Sequence, residues 1–192
     1  MPKAEKTTAL ADKKTLVVLA VAAIVALTVL VACVSSNTPS VPSACEQATL
    51  EWVVDGDTII VNIGGESKKV RLIGIDCPES ASDDESENTP EGLQATEFAR
   101  SVLELGQDIW LMRDASETDR YGRLLRYVWL QPPTEAPSLD EVRENMLNGI
   151  VVANGYAIAK RYPPDTTFAE YFEKLAEEAR TAGLGVSDKL VE

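Results

Sequence analysis

Val70-Arg71-Leu72-Ile73-Gly74-Ile75-Asp76-Cys77-Pro78-Glu79 is the stretch whose reading decides the fold. Its apolar residues read as a buried strand, from Lys68 to Ile75, that runs into a loop carrying two carboxylates. Arg71 lies within the strand, and burying a guanidinium is unfavourable unless it meets a carboxylate or another anion. Asp76 and Glu79 bracket Pro78, whose fixed φ stiffens the loop. The segment therefore ends in a rigid pair of oxygen ligands or acid/base groups.

Outward from this stretch, the pattern is that of a small β domain. Leu50 to Val54 reads as a strand broken by Asp55-Gly56-Asp57-Thr58, where Asp-Gly signals a turn. Thr58 to Ile63 follows as a strand rich in β-branched residues. Gly64-Gly65 then turns the chain back into the Arg71 strand, which makes a three-stranded meander. Residues 80–90 form an acidic loop. Thr89-Pro90-Glu91 starts a helix, with Thr89 as N-cap and Pro90 in the first turn. Ala95, Phe98, Ala99 and Val102 form its apolar stripe, and Gly106 ends it.

Asp108 to Met112 and Leu124 to Leu130 are the fourth and fifth strands. Between them lies the charged loop Asp119-Arg120-Tyr121-Gly122-Arg123. Five short strands interrupted by a helix predict a small closed or partly closed barrel. Leu139 to Leu147 is expected to form a short helix, and Asn148 to cap a second one ending at Asn154-Gly155. In the last helix, Thr167 with Glu170 predicts a capping box. Phe168, Phe172, Leu175, Ala179 and Ala182 would line one face of that helix, and Gly183 would stop it.

The N-terminus is of a different kind. Lys3, Lys6, Lys13 and Lys14 precede an uncharged apolar run from Thr15 to Val34. The run reaches the ~18–20 residues that cross a hydrocarbon core as a helix, and the basic flank orients the C-terminal part of the chain outward. Leu30-Val31-Ala32-Cys33 also resembles a lipobox, in which Cys33 would be lipidated after cleavage. Both readings, an uncleaved anchor and a lipoprotein signal peptide, stay open, and both place the domain outside the cytoplasm. The predicted organisation is an anchor or signal over 1–34, a Pro/Ser-rich linker over 35–44, a globular domain over 45–188 and a tail over 189–192.

Composition removes whole classes of chemistry. The 192 residues include no histidine. That excludes Ser-His-Asp and Cys-His catalysis, and zinc held by imidazole. The net charge of −13 is an unfavourable global field for a polyanion and argues against nucleic-acid binding by bulk charge. Cys45 and Cys77 could pair in an oxidising compartment, a matter of geometry that sequence does not reveal.

Asp55-Gly56-Asp57-Thr58, Arg71 in the third strand, Asp76-Cys77-Pro78-Glu79 and Asp119-Arg120-Tyr121-Gly122-Arg123 are each weak signals alone. In this order, among five strands and around one helix, they resemble the staphylococcal nuclease (thermonuclease) family, from about Leu50 to Ser187. The resemblance implies an α+β, mainly β fold: a five-stranded OB-fold barrel with three helices, here preceded by a hydrophobic segment. It implies calcium-dependent endonucleolytic hydrolysis of single-stranded DNA and RNA by a monomer, breaking the P–O5′ bond to leave a 3′-phosphate.

Carried over by position, Asp57, Asp76 and the backbone carbonyl of Cys77 would hold Ca²⁺, with Asp55 and Thr58 close behind them. Oxygen-only ligation suits a hard cation. Glu79 would be the general base, and Arg71 and Arg123 would grip the phosphate. Arg120 and Tyr121 would contact a terminal phosphate, and Tyr162 would stack on a base. Three departures stand out. Cys77 replaces the Thr of the founding enzyme, the basic loop of that enzyme is acidic here (Asp83, Asp84, Glu85, Glu87), and Gly183 to Ser187 lacks the usual Trp. The competing reading is a non-catalytic OB-fold binding module of the cell envelope for nucleic acid, peptide or oligosaccharide. Loss of any one of Asp57, Arg71, Asp76, Glu79 or Arg123 would favour it, and all five are present.

Overall fold

The computed structural model describes residues 45–190 apart from residue 83. The expected anchor with Cys33, the linker, Asp83 and the last two residues lie outside the described residues. Among the described residues, no helix is long and apolar enough to cross a membrane.

Five strands close into a barrel: β1 (Cys45–Val53), β2 (Thr58–Ile63), β3 (Glu66–Leu72), β5 (Asp108–Met112) and β6 (Leu124–Trp129). The order around the barrel is β1-β2-β3-β6-β5, with β5 pairing back onto β1. All neighbours are antiparallel except β3 and β6, which run parallel with Arg71 opposite Leu125. Leu50, Val61, Val70, Leu72, Ile109, Leu111 and Val128 are buried in the core. These inward positions alternate along the strands, as a half-solvated sheet requires.

Four α-helices stand among the described residues: α1 (Pro90–Val102), α2 (Leu139–Asn145), α3 (Leu147–Ala153) and α4 (Ala169–Ala182). The family resemblance implied three. The chain breaks at Met146, which leaves the helical region with an extended backbone and bridges to Trp129 of β6. That break separates α2 from α3.

Thr89 caps α1 as its sequence predicts, accepting a hydrogen bond from the Gly92 N–H at 3.0 Å. The helix ends at Leu103, before Gly106. The capping box expected at Thr167 and Glu170 does not form, because both polar groups of Thr167 serve another element. Its hydroxyl donates to Asp114 Oδ1 at 3.0 Å and its N–H to Asp114 Oδ2 at 3.0 Å. Phe168 takes the N-cap position instead. Of the predicted apolar face of α4, Phe168, Phe172, Leu175 and Ala179 are buried while Ala182 is exposed. Gly183 ends the helix in the left-handed conformation, φ 63°.

Asn148 is not a cap. It lies within α3, fully buried, and fastens the helix to the barrel. Its Oδ1 accepts from Val128 N–H at 2.9 Å, and its Nδ2 donates to Ile73 O at 2.9 Å. In the C-terminal segment that lacks the usual Trp, Val186 is buried and its N–H donates to Gly155 O at 3.0 Å. Cys45 and Cys77 are free thiols.

The third strand departs from its expected course in the way that matters most for the site. It stops at Leu72. Gly74 adopts φ 79°, and a short strand β4 (Ile75–Asp76) pairs with β7 (Ile158–Ala159), outside the barrel. Residue 74 has to be glycine here, because its φ is positive and a Cβ on it would lie 2.6 Å from the ring of Phe172. Burying the Phe172 side chain stabilises by roughly 1.5–3 kcal/mol, and the absent Cβ at residue 74 leaves room for its ring.

Candidate active site

The break after β3 leaves two carbonyls near the turn, and the Arg71 side chain meets both. One guanidinium nitrogen donates to Leu72 O at 2.7 Å and to Ile75 O at 3.1 Å. The other lies 3.0 Å from Asp57 Oδ2 and 2.8 Å from Asp76 Oδ1. The strand arginine thus finds the carboxylates that its burial demands, two of them, from opposite ends of the β2–β3 region.

The Asp-Gly-Asp turn fixes Asp57. Its N–H donates to Asp55 Oδ1 at 3.0 Å, an Asx-type bond that keeps both acids on one side of the turn. Asp57 Oδ1 accepts from the Thr58 hydroxyl at 3.1 Å, and Oδ2 accepts from the Cys77 N–H at 2.8 Å. Gly56 is required by contact, since a Cβ there would lie 2.8 Å from the Cys77 sulfur. Burial pushes the Asp57 carboxyl above the usual range. Arg71 and the Cys77 N–H oppose this, while Asp55 and Asp76 reinforce it.

Glu79 is exposed at the rim and its carboxyl is also raised, by partial burial first and then by Asp55. Its backbone is clamped. Glu79 O accepts from Thr89 N–H at 2.8 Å, and α1 comes so close that a Cβ on Gly92 would lie 2.1 Å from that same oxygen. Arg123 is aimed by Asp119: its Nε donates to Asp119 Oδ2 at 2.7 Å, and Asp119 Oδ1 accepts from the N–H groups of Tyr121 and Arg123. Tyr121 is exposed, with the guanidiniums of Arg120 and Arg123 lying 4.6 Å and 5.5 Å from its ring.

These groups surround one cavity of about 350 Å³. Asp55, Asp57, Arg71, Asp76, Glu79, Arg123 and Tyr162 all line it, as do Asp119 and Asp165. Thr58 and Cys77 stand behind Asp57, and Arg120 and Tyr121 stand outside the lining. Sequence reading assigned no part to Asp119; it pairs with Arg123 across a turn, where the helical i,i+4 rule gives no signal, and only its place in the same motif points to it. It also missed Asp165, whose Oδ1 accepts from Ser116 N–H, and Lys160, which meets Asp76. Only the fold brings those two to the site.

The cavity carries six carboxylates against two guanidiniums, a balance that attracts a further cation. Among the described residues, no three His, Cys, Asp or Glu side chains are gathered as a metal centre. Two of the expected donors nonetheless fit one. Asp57 and Asp76 already share a single positively charged nitrogen, so a cation can be met by both, and their oxygens suit a hard ion. A guanidinium pair, a carboxylate and a place for a cation on one wall can bind a phosphodiester and stabilise charge that develops on it.

A closed five-stranded barrel with this acid–arginine cavity at one end defines an OB-fold hydrolase-like architecture. The family described as staphylococcal nuclease homologue matches residues 69–187. The thermonuclease of Staphylococcus intermedius is 33% identical over 144 residues, 75% of this chain and 77% of its own length. The thermonuclease of Staphylococcus hyicus is 35% identical over 128 residues, 67% and 68% of the two chains. The SPbeta prophage-derived endonuclease YokF of Bacillus subtilis is 29% identical over 141 residues, 73% of this chain and 44% of its own. The chain belongs to the staphylococcal nuclease family and is a nuclease by that kinship.

Proposed function

We propose that this nuclease is a calcium-dependent endonuclease that hydrolyses phosphodiester bonds of single-stranded DNA and RNA, leaving a 3′-phosphate. The observation that carries the reading is the convergence of Arg71, Glu79 and Arg123 on one cavity beside Asp57 and Asp76. Asp57, Asp76 and the Cys77 carbonyl would hold Ca²⁺, which supplies positive charge opposite the phosphate oxygens.

Glu79 accepts the proton of the attacking water, and its raised carboxyl makes it a better base than an ordinary glutamate. Arg123, held through Nε by Asp119, offers the paired N–H groups of its terminal nitrogens to the phosphoryl oxygens, a geometry that lysine cannot provide, while Arg71 would meet the phosphate by exchanging a carboxylate partner as the cation takes up Asp57 and Asp76. Arg123 is already oriented by Asp119 and the Arg71 guanidinium is held in place by two carbonyls, so neither side chain has to be repositioned as charge develops. Arg120 and Tyr121 bind a terminal phosphate, and Tyr162 stacks on a base. The chain acts as a monomer outside the cytoplasm, secreted or held at the membrane by its N-terminal segment.

The full chain, incubated with single-stranded DNA and with RNA, is expected to cleave both in Ca²⁺ and neither in a calcium chelator. Glu79→Gln should lower kcat on the order of 10²–10⁴-fold. Undiminished cleavage in chelator, or a loss of only a few-fold in the variant, would overturn the assignment.

A further inference from the structure

Asp76 has a second cationic partner besides Arg71. Its Oδ1 meets Arg71, while its Oδ2 accepts a hydrogen bond from Lys160 Nζ at 2.7 Å. The lysine is placed there by backbone rather than by chance reach. Ile158 and Ala159 of β7 stand opposite Asp76 and Ile75, and the Lys160 N–H donates to Gly74 O at 2.9 Å. The same ammonium lies 5.5 Å from the Tyr162 ring.

The two cations on Asp76 differ in how firmly they are held. The Arg71 side chain is 11% exposed and bonded to two carbonyls besides the carboxylates, so it is part of the frame. The Lys160 side chain is 48% exposed and its acceptor 33%, and ion pairs this open contribute little net stability. The Lys160 pair is therefore exchangeable.

We propose that Lys160 is a built-in competitor for the divalent cation at Asp76, occupying Oδ2 until the metal displaces it. This rests on the metal-binding reading of Asp57 and Asp76. An ammonium and a divalent ion cannot share one carboxylate oxygen without strong repulsion. Filling the site therefore requires the lysine to swing away, toward Tyr162 and solvent. The consequence is a raised threshold: Lys160 sets the cation concentration at which the site loads.

Calorimetric titration of Ca²⁺ alone into the full-length wild type, Lys160→Met and Lys160→Arg tests this. Met keeps the length of the stem and removes the charge. It should tighten Ca²⁺ binding by about tenfold, the combined effect of losing the ion pair and the cation–cation repulsion. Arg keeps the charge and should bind within a few-fold of wild type. In wild type, acetylation of Lys160 followed by peptide mass spectrometry should accelerate when saturating Ca²⁺ is added. Equal affinities for wild type and Lys160→Met would overturn the proposal and leave the metal site standing. So would equal tightening in the Met and Arg variants. If none of the three proteins binds Ca²⁺, the metal site itself fails and the role of Lys160 fails with it. Circular dichroism of the Met variant in chelator checks that the fold is retained.

Discussion

Replacing Arg71 by Met keeps the stem and removes a charge on which two carboxylates converge. The side chain of Asp57 is 9% exposed, and Arg71 is the guanidinium that balances it. Breaking a buried pair from one side costs about 3–5 kcal/mol, because the remaining charge is left uncompensated. The carbonyls of Leu72 and Ile75 also lose a donor each, at roughly 1 kcal/mol apiece where water cannot replace it. Asp57 can relieve part of this by taking up a proton, since its carboxyl is already raised. A metal-free loss of about 4 kcal/mol near pH 8 is expected, measured by urea unfolding in chelator.

The pH dependence has a definite sign. An aspartate whose folded pKa is raised destabilises once the unfolded chain would ionise, above about pH 3.9. Removing Arg71 raises it further. The defect of Arg71→Met should therefore be small near pH 4 and grow as pH rises through the folded pKa of Asp57. Asp57→Asn in the same background should restore at least 2 kcal/mol at pH 8, a coupling on the scale expected of groups in contact. A loss below about 1 kcal/mol, or additive effects of the two substitutions, would refute the view that Arg71 is part of the frame as well as of the site.

Asn148→Leu should cost about 2–4 kcal/mol in urea unfolding, because Val128 N–H and Ile73 O are left buried and unpaired; a cost under 0.5 kcal/mol would show that the helix does not hang on this side chain. Gly92→Ala must push the Pro78–Glu79 backbone away from α1 and should lower kcat by roughly 10²-fold with circular dichroism unchanged, as a shift near 1 Å can do; full activity would disprove the clamp. Asp119 is held below the usual carboxylate range: burial pushes it up, but the Arg123 side chain and the N–H groups of Arg123 and Tyr121 outweigh this. A depressed carboxyl contributes stability above its unfolded pKa of about 3.9 and loses it as pH falls through the folded value. The stability gap between wild type and Asp119→Asn should therefore narrow from pH 6 to pH 3, and a gap that stays constant would contradict the pairing.

What was legible in the sequence is what neighbours in the chain decide. Asp55-Gly56-Asp57-Thr58 makes its own turn, and Thr89 caps its own helix. The misread features are those settled across the fold. Lys68 to Ile75 is an uninterrupted strand by pattern, yet it ends at Leu72 and resumes after Gly74 paired with β7, and Phe172, almost a hundred positions on, packs where a Cβ of residue 74 would be. Thr167 has the right spacing for a capping box, but Asp114 takes both of its polar groups. Asn148 reads as a helix cap because Asn so often is one, and nothing local reveals the three backbone groups of β6 and the β3–β4 turn around it. Lys160 reaches Asp76 only through the pairing of β4 with β7, a ladder of two residues too short to leave a periodic signal.

The acidic segment after Glu79 looked out of place beside a site for a polyanion, and its hydrogen bonds account for its presence there. Ser82 Oγ donates to Glu87 Oε2 at 2.7 Å, Ser82 N–H to Asn88 Oδ1 at 2.9 Å, and Ser86 N–H to Asp84 Oδ1 at 3.0 Å. Asp84 and Glu87 thus help to close the loop. Its far end returns as Thr89, whose N–H and hydroxyl both donate to the Glu79 carbonyl, and Ser80 is tied to Thr96 of α1 at 2.6 Å. The segment is a strap between the end of β4 and the start of α1 that fixes the backbone of Glu79 at both sides. Its charge acts at a distance that salt screens, with a Debye length of about 8 Å at physiological ionic strength. Arg71 and Arg123 line the cavity, where screening is weak. If the cavity takes a phosphodiester as proposed, a strap of this composition is expected to slow the approach of a long polyanion more than it weakens the grip at the site, because steering depends on the far field and binding on the near one.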